Sequence, residues 1–585
     1  MRKSNYDKYP FVQVENTSDN CFQGWRAIGT ELNSAVKSLN KKLVTIIVEC
    51  YVGVLDEEVE LPLKKTIQHH LWINSKDAFK DEALIREMIH PDVTDDRVFG
   101  FLTRLNVEDY LSDEKVNGIR QEVANILEGV VVIYGTGASL LLPSFDLLVY
   151  ADMARWEIQK RMRRNEINNL GVSNLRAQFS EKYKQGFFVD WRVCDRLKKR
   201  LFSRWDYLLD TNDKQHPKLV TAPAIRKGLK VASQQPFRVV PFFDPGPWGG
   251  QWMKEVCDLD RSVINYAWCF DCVPEENSLC LKFGNVTVEL PSIDLVFFET
   301  ENLLGPRVAA RFGSEFPIRF DFLDTMGGGN LSLQVHPSTD YIQEHFGMHY
   351  TQDESYYILD AADDAQVYLG LRTNINKAEF FSALEKANDG IEGFDAERYV
   401  ATWAVKKHDH VSIPAGTVHC SGANTMVLEI SATPYIFTFK LWDWNRPGLD
   451  NQPRPIHLEH GRNVLQEHRD ANWVRQHALT LTRSIASGDG WREESTGLNE
   501  LEFLETRRHW FTKKVEHHTN GIVHVLNLVE GGEIIVESPT AAFAPMIVHY
   551  AETFIVPAAV GPYTITPHGE GAGSERATIK AYVRC

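Results

Sequence analysis

The sequence predicts a multidomain chain. An α/β domain with a parallel sheet is expected over residues 1–234, a mainly-β barrel over 235–462 and a smaller β domain over 463–585. Three observations carry this reading. At 585 residues the chain exceeds what one hydrophobic core organises, so about two to four domains are expected. Continuous β-branched runs alternate with charged helical patterns in the first third, as in a parallel sheet with crossover helices. Beyond Gln234 short strand-like runs punctuated by turn residues take over, the pattern of an antiparallel sandwich or barrel.

The elements follow in order. "KLVTIIVECYVGV" is apolar throughout, as a strand buried on both faces is, and "GVVVIYGTGASLLL" and "DLLVYADM" repeat the design. "EKVNGIRQEVANIL" and "ARWEIQKRMRRNEI" read as helices around them. Pro and Gly cluster in "QQPFRVVPFFDPGPWGGQW", and strands dominate afterwards: "VTVEL", "LSLQV", "SYYIL", "QVYLGL", "HVSIP", "MVLEI" and "YIFTFKLW". One helical insertion is expected at "NKAEFFSALEKAND". Past Arg462 the chain is first polar and loosely patterned, then gives strands at "GIVHVLNLV", "GEIIVES", "ETFIVPA" and "ATIKAYV".

Composition narrows the function. The balance of 43% hydrophobic and 24% charged residues is that of a globular protein. A net charge of −16, from 63 basic and 79 acidic side chains, excludes nucleic acid as a bulk partner. No apolar run reaches the length of a membrane span, and "MRKSNYDKYPFVQVEN" has no apolar segment after its charges, so no membrane association and a cytoplasmic location are expected. Nine scattered cysteines, an odd number at irregular spacing, do not form a disulfide framework. The sequence sets no oligomeric state.

The candidate chemistry lies in the middle domain. In "LSLQVHP" a strand puts Gln334 and His336 on one face, because side chains at i and i+2 point the same way. Glu354 opens the strand "ESYYIL", and His419 follows the Pro-x-Gly-x-x-His turn of "IPAGTVHC", which matches the second cupin motif. Two imidazoles and a carboxylate suit zinc, and also iron or manganese. A neutral glutamine oxygen as fourth ligand leaves the ion net positive and open to substrate, as a Lewis acid requires. His408 and His410 alternate in "KKHDHVSIP" like a metal pair, but they fall where the family resembled below has a plain turn and are left out of the site.

From Phe237 to about Arg462 the chain resembles the type I mannose-6-phosphate isomerases, a zinc-dependent cupin family. The resemblance rests on "WGGQWM", "FPIRFDFLDTMGGGNLSLQVHP", "DESYYIL", "IPAGTVHCSGANTMVLEI" and "FTFKLWDWNRPGLDNQPRPIHLEHG" in order. It implies a cupin jelly-roll barrel, one zinc ion per chain held by Gln334, His336, Glu354 and His419, and a small sugar phosphate as substrate. It implies Glu429 as the carboxylate of proton transfer, with Lys440 where the family has its catalytic arginine and Arg446 where bacterial members have a further arginine. The implied activity is aldose–ketose interconversion of mannose 6-phosphate and fructose 6-phosphate. Two positions depart from the family. Gln352 stands where a lysine is common, and Lys440 keeps the arginine's charge but loses its planar fork. These departures motivate an alternative, a non-catalytic sugar-phosphate-binding regulator; a third reading is an iron cupin.

The N-terminal third resembles nucleoside-kinase-like P-loop proteins through its first strand, through "VVVIYGTGASLL" and through the basic helix after "DLLVYADM". The phosphate loop is degenerate: after Glu49 the chain reads "CYVGVL", with neither the lysine nor the hydroxyl that phosphate and magnesium need. A kinase-like fold without kinase activity is therefore expected.

Overall fold

A computed structural model describes residues 4–585, except 433, 434, 436, 450, 452, 453, 480, 498, 501 and 572. The chain divides into two compact units. One comprises residues 11–231 and 278–298; the other comprises 1–10, 232–277 and 299–585.

The first unit is α/β. Its seven-stranded sheet runs, edge to edge, Cys21–Gln23, Lys218–Thr221, Tyr207–Asp210, Leu147–Asp152, Leu43–Cys50, Gly129–Gly135 and Leu71–Asn74. The last five are mutually parallel and the first two antiparallel. The β-branched runs are buried because helices cover them: Ile46, Val48, Val132 and Val149 share one core with Ile28 and Leu63 from the helices.

The residues after strand Leu43–Cys50 are arranged around charge pairs within the chain. Helix Asp56–Thr66 opens on Asp56, Glu57 and Glu58, which disfavours an anion at its N-terminus. Gly137 and Ser139 donate their backbone N–H groups to the buried carboxylate of Glu49, at 2.6 and 2.8 Å. The Gly-x-Gly loop thus holds an anion supplied by the protein. Arg155 pairs with Asp195 at 2.6 Å, and Lys198 lies between Asp152 and Asp294, at 2.9 Å from each. These groups are buried.

The segment "VTVEL", expected in the barrel, belongs to this unit. Strands Ser278–Phe283 and Val286–Pro291 form a hairpin, and its first strand pairs in parallel with Val12–Val14. Gly228 permits the approach, since a Cβ there would lie 2.8 Å from Leu281 Cδ1. Alternation identifies a strand but not its partner.

The second unit contains two antiparallel β-sandwiches. In the first, a six-stranded sheet has the order His410–Ile413, Glu354–Ala361, Thr425–Ser431, Arg319–Asp324, Trp268–Cys272, Phe242–Asp244. The other sheet has the order Val400–Ala404, Gln366–Leu371, His419–Ser421, Leu333–Val335, Phe439–Trp442. The expected helical insertion is helix Lys377–Asn388. The C-terminal sandwich sets Arg483–Gly488, Trp491–Ser495, Leu504–Phe511, Arg576–Val583, His524–Glu530 and Thr553–Val556 in one sheet. Strands Val515–His518, Pro562–His568, Glu533–Glu537 and Met546–His549 make the other. All nine cysteines are free thiols. Among the described residues no helix is long and apolar enough to cross a membrane.

Candidate metal centre

The centre forms where the two sheets of the first sandwich face each other. Gln334 lies in the short strand Leu333–Val335, directly opposite His419 on one neighbour and Lys440 on the other. Glu354 comes from the opposing sheet, at the first position of its strand. The Pro-x-Gly turn sets the height of His419. Gly416 has φ +89°, which favours glycine, and its N–H donates to the carbonyl of His336 at 2.9 Å. One backbone bond thus ties the two histidine-bearing segments together.

His336 Nε2 stands 3.1 Å from Glu354 Oε2, and His419 Nε2 stands 2.8 Å from Glu354 Oε1. The Gln334 amide is 3.2 Å from His419 Nε2. Ligand atoms of His336, Glu354 and His419 all lie within 4.8 Å of one another, and the three side chains are fully buried. The outer ring nitrogens are committed to backbone: His336 Nδ1 to Phe437 O at 2.7 Å and His419 Nδ1 to Thr417 O at 2.8 Å. Donating from Nδ1 leaves Nε2 as a lone pair in the neutral ring, aimed at a carboxylate oxygen. Lone pairs facing an anion repel unless a cation lies among them. Neither His336 Nε2, facing Glu354 Oε2, nor Glu354 Oε1, facing His419 Nε2, has a hydrogen bond of good geometry. These residues fit a divalent ion.

Protonation reports the same demand for positive charge. Burial acts to lower the pKa of His336, yet the Glu354 carboxylate overrides it and the net shift is upward. Burial acts to raise that of Glu354, yet His336 and His419 hold it well below the usual carboxylate range.

Beside the centre lies a cavity of about 180 Å³, reached by Gln334, Gln352, Glu429, Lys440, Arg319 and Trp248. Glu429 sits on strand Thr425–Ser431, opposite Tyr356 on one side and Asp321 on the other. Burial, then the nearby Glu354 and Asp321 carboxylates, push its pKa well above the usual value, against the pull of Arg319. Gln352 donates to Glu354 Oε2 at 2.9 Å and to Glu429 Oε1 at 3.3 Å, and its own oxygen accepts the Phe437 N–H at 3.2 Å. The glutamine in the lysine's place therefore bridges the two carboxylates.

Of the seven expected site residues, the structure brings Gln334, His336, Glu354 and His419 together and sets Glu429 and Lys440 on the adjoining cavity. Arg446 lies behind the lining, over the ring of Trp248. It bonds Asp443 at 2.6 Å and the Asn330 carbonyl at 2.8 Å, outside the cavity lining. Arg319 and Arg454, which line the cavity, were not expected from the sequence. Arg319 is chelated by Asp321 two residues on, and that i, i+2 pair in "RFDF" is the signal that places both on one strand face. His410 is held by Thr496 and Ser355, both at 2.9 Å, as a structural core histidine.

Comparison with known proteins finds relatives over part of the chain. Over 153 residues it is 31% identical to the probable mannose-6-phosphate isomerase GmuF of Bacillus subtilis (strain 168), covering 26% of this chain and 45% of the relative. Over 246 residues it is 25% identical to the mannose-6-phosphate isomerase of Streptococcus mutans serotype c, covering 41% of this chain and 72% of the relative. Part of the chain is homologous to mannose-6-phosphate isomerases. The chain spans about half the length of the first of these relatives. Among solved structures, the mannose 6-phosphate isomerase of Bacillus subtilis aligns with TM-score 0.49 and 19% identity, over 60% of this chain and 100% of that one. A zinc-bound mannose 6-phosphate isomerase aligns with TM-score 0.45 and 15% identity, over 60% and 100%. Residues 24–234 match a family described as a domain of unknown function, DUF8485.

Proposed function

We propose that the chain is a zinc-dependent aldose–ketose isomerase that interconverts mannose 6-phosphate and fructose 6-phosphate. The observation that carries this is the buried convergence of His336, Glu354, His419 and Gln334 beside a cavity whose lining includes Glu429 and Lys440. Sequence similarity to isomerases supports it. Gln334, His336, Glu354 and His419 would hold the ion, which when bound supplies Lewis acidity toward the sugar's C1 and C2 oxygens. Glu429 takes the proton from C2 and returns it to C1 while the hydroxyl proton passes from O2 to O1, so the isomerisation is balanced without a redox cofactor. Its raised pKa suits an acid–base group, since carboxylates tuned toward neutrality both accept and release protons. Gln352 orients Glu429 relative to the ligand Glu354, and Lys440 supplies positive charge for the phosphate or for charge developing on oxygen.

The test is a coupled assay on purified protein, with and without chelator. Turnover that disappears with chelator and returns with zinc supports the proposal. No turnover with zinc bound, while a control isomerase works, would sink it. A second reading, a sugar-phosphate-binding regulator without turnover, is favoured by Gln352 and Lys440; stabilisation by sugar phosphates without conversion would establish it. Metal analysis showing iron would favour the third.

We further propose that the N-terminal unit is a kinase-like fold without kinase activity. The support is its parallel strand order and the use of its glycine loop to bind Glu49.

A further inference from the structure

The C-terminal sandwich carries a half-open cavity of about 800 Å³, well above that beside the metal centre. The interior of a sandwich is normally apolar, and most of this one is: Phe511, Leu526, Leu528, Ile534, Val536 and Ile565 form its core. At one end the same inward faces carry Glu493, Arg507, His509, His517, His524 and Lys580 instead. The register fixes this. Arg507 and His509 alternate with the core residue Phe511 on strand Leu504–Phe511, with Glu493 opposite His509 and Lys580 opposite Arg507. His517 faces them from the second sheet, two residues from the core residue Val515.

These groups are costly where they stand. His509, His517, His524 and Lys580 are 5%, 8%, 3% and 8% exposed. His509 Nδ1 and His517 Nε2 have no hydrogen-bond partner. Burial keeps the imidazoles neutral, with His509 pushed down to about 3. The Lys580 ammonium lies 3.9 Å from its nearest carboxylate, Glu493, beyond hydrogen-bond distance. Arg507, by contrast, is paired with Glu505 at 2.9 Å. A buried ammonium and unpaired imidazoles destabilise a fold unless something binds them. A metal does not fit: among the described residues the group of three or more potential ligands within 4.8 Å is His336, Glu354 and His419.

We propose that this cavity is a second ligand site, for a small polyol bearing one oxyanion group. Lys580 and the imidazole N–H groups receive the oxyanion, and Trp491 and Tyr582 offer ring faces to the sugar. Its volume lies within the ~300–1,000 Å³ usual for small-molecule sites.

The test is calorimetric titration of the full chain with glucose 6-phosphate, gluconate, inorganic phosphate and glucose. Lys580→Met, His517→Ala and Lys440→Met are compared with the native chain. The expected result is a binding event that weakens tenfold or more in Lys580→Met and several-fold in His517→Ala, while Lys440→Met leaves it unchanged. Lys580→Met is expected to melt no lower than the native chain, because the ammonium it removes makes no hydrogen bond. Preference for glucose 6-phosphate or gluconate identifies the oxyanion as phosphate or carboxylate, and either supports the site. Glucose binding as tightly as its phosphate overturns the oxyanion, and inorganic phosphate binding as tightly as glucose 6-phosphate overturns the polyol. No event, or only an event lost in Lys440→Met and retained in Lys580→Met, overturns the site itself. Loss of isomerase activity is not a readout here, so failure of the proposed function leaves this test intact.

Discussion

Replacing Glu429 by Gln separates proton transfer from metal binding. The side chain keeps its shape, and its carbonyl can still accept the Gln352 amide now 3.3 Å from Oε1. None of the ligand contacts to His336 or His419 involves Glu429. What disappears is a group able to carry a proton. General acid–base catalysis is worth ~10²–10⁴-fold. At about 1.4 kcal/mol per tenfold, that is roughly 3–5.5 kcal/mol of barrier. The coupled assay should therefore show kcat reduced by about 10²–10⁴ with zinc content unchanged. Stability moves the other way. The folded carboxyl has a raised pKa, whereas the unfolded one releases its proton near about 4.3. Between those values the unfolded state binds fewer protons, so Glu429 makes the metal-free protein less stable as pH rises through that window. Glu429→Gln removes this dependence, and its melting temperature at neutral pH should equal or exceed that of the native chain. A kcat within threefold of native would refute the role of Glu429.

Other substitutions test other parts of the site. Lys440→Met should raise KM for the sugar phosphate about 10- to 100-fold, since a hydrogen bond to a charged group is worth about 1.5–3 kcal/mol. Lys440→Arg should retain most of the affinity; equal damage from both variants would show that shape rather than charge matters there. Arg446→Ala should lower the melting temperature, because the Asn330 carbonyl loses this donor and Asp443 keeps only one of its two arginines, and leave KM unchanged; a raised KM would return Arg446 to the site. Gly416→Ala places a Cβ 2.6 Å from Gln466 Cγ at φ +89°, and zinc affinity measured by competition with a chelator should fall.

The metal centre was legible in the sequence because it rests on short-range rules. Strand alternation aligned Gln334 with His336, and Pro-x-Gly-x-x-His announced an inward histidine. The cavity was less so. Arg319 and Asp321 reach it from a strand whose partner, Thr425–Ser431, is a hundred residues away, and spacing does not encode that pairing. Strands Trp491–Ser495 and Leu504–Phe511 carried no apolar alternation, because their inner faces hold Glu493, Arg507 and His509 around a cavity, and strand Arg483–Gly488 is exposed throughout. A polar interior hides a strand from any reading based on hydrophobic period. The hairpin of residues 278–291 was visible as strands, but its attachment to the α/β unit depends on Val12–Val14, some 270 residues earlier.

Zinc dependence is tested most directly by stripping the purified chain of metal and titrating zinc back while following conversion of mannose 6-phosphate. The expected result is no turnover in the stripped protein, a linear rise with added zinc and saturation at one equivalent per chain, with no recovery in His336→Ala. Full turnover in the stripped protein, unchanged by zinc, would contradict it.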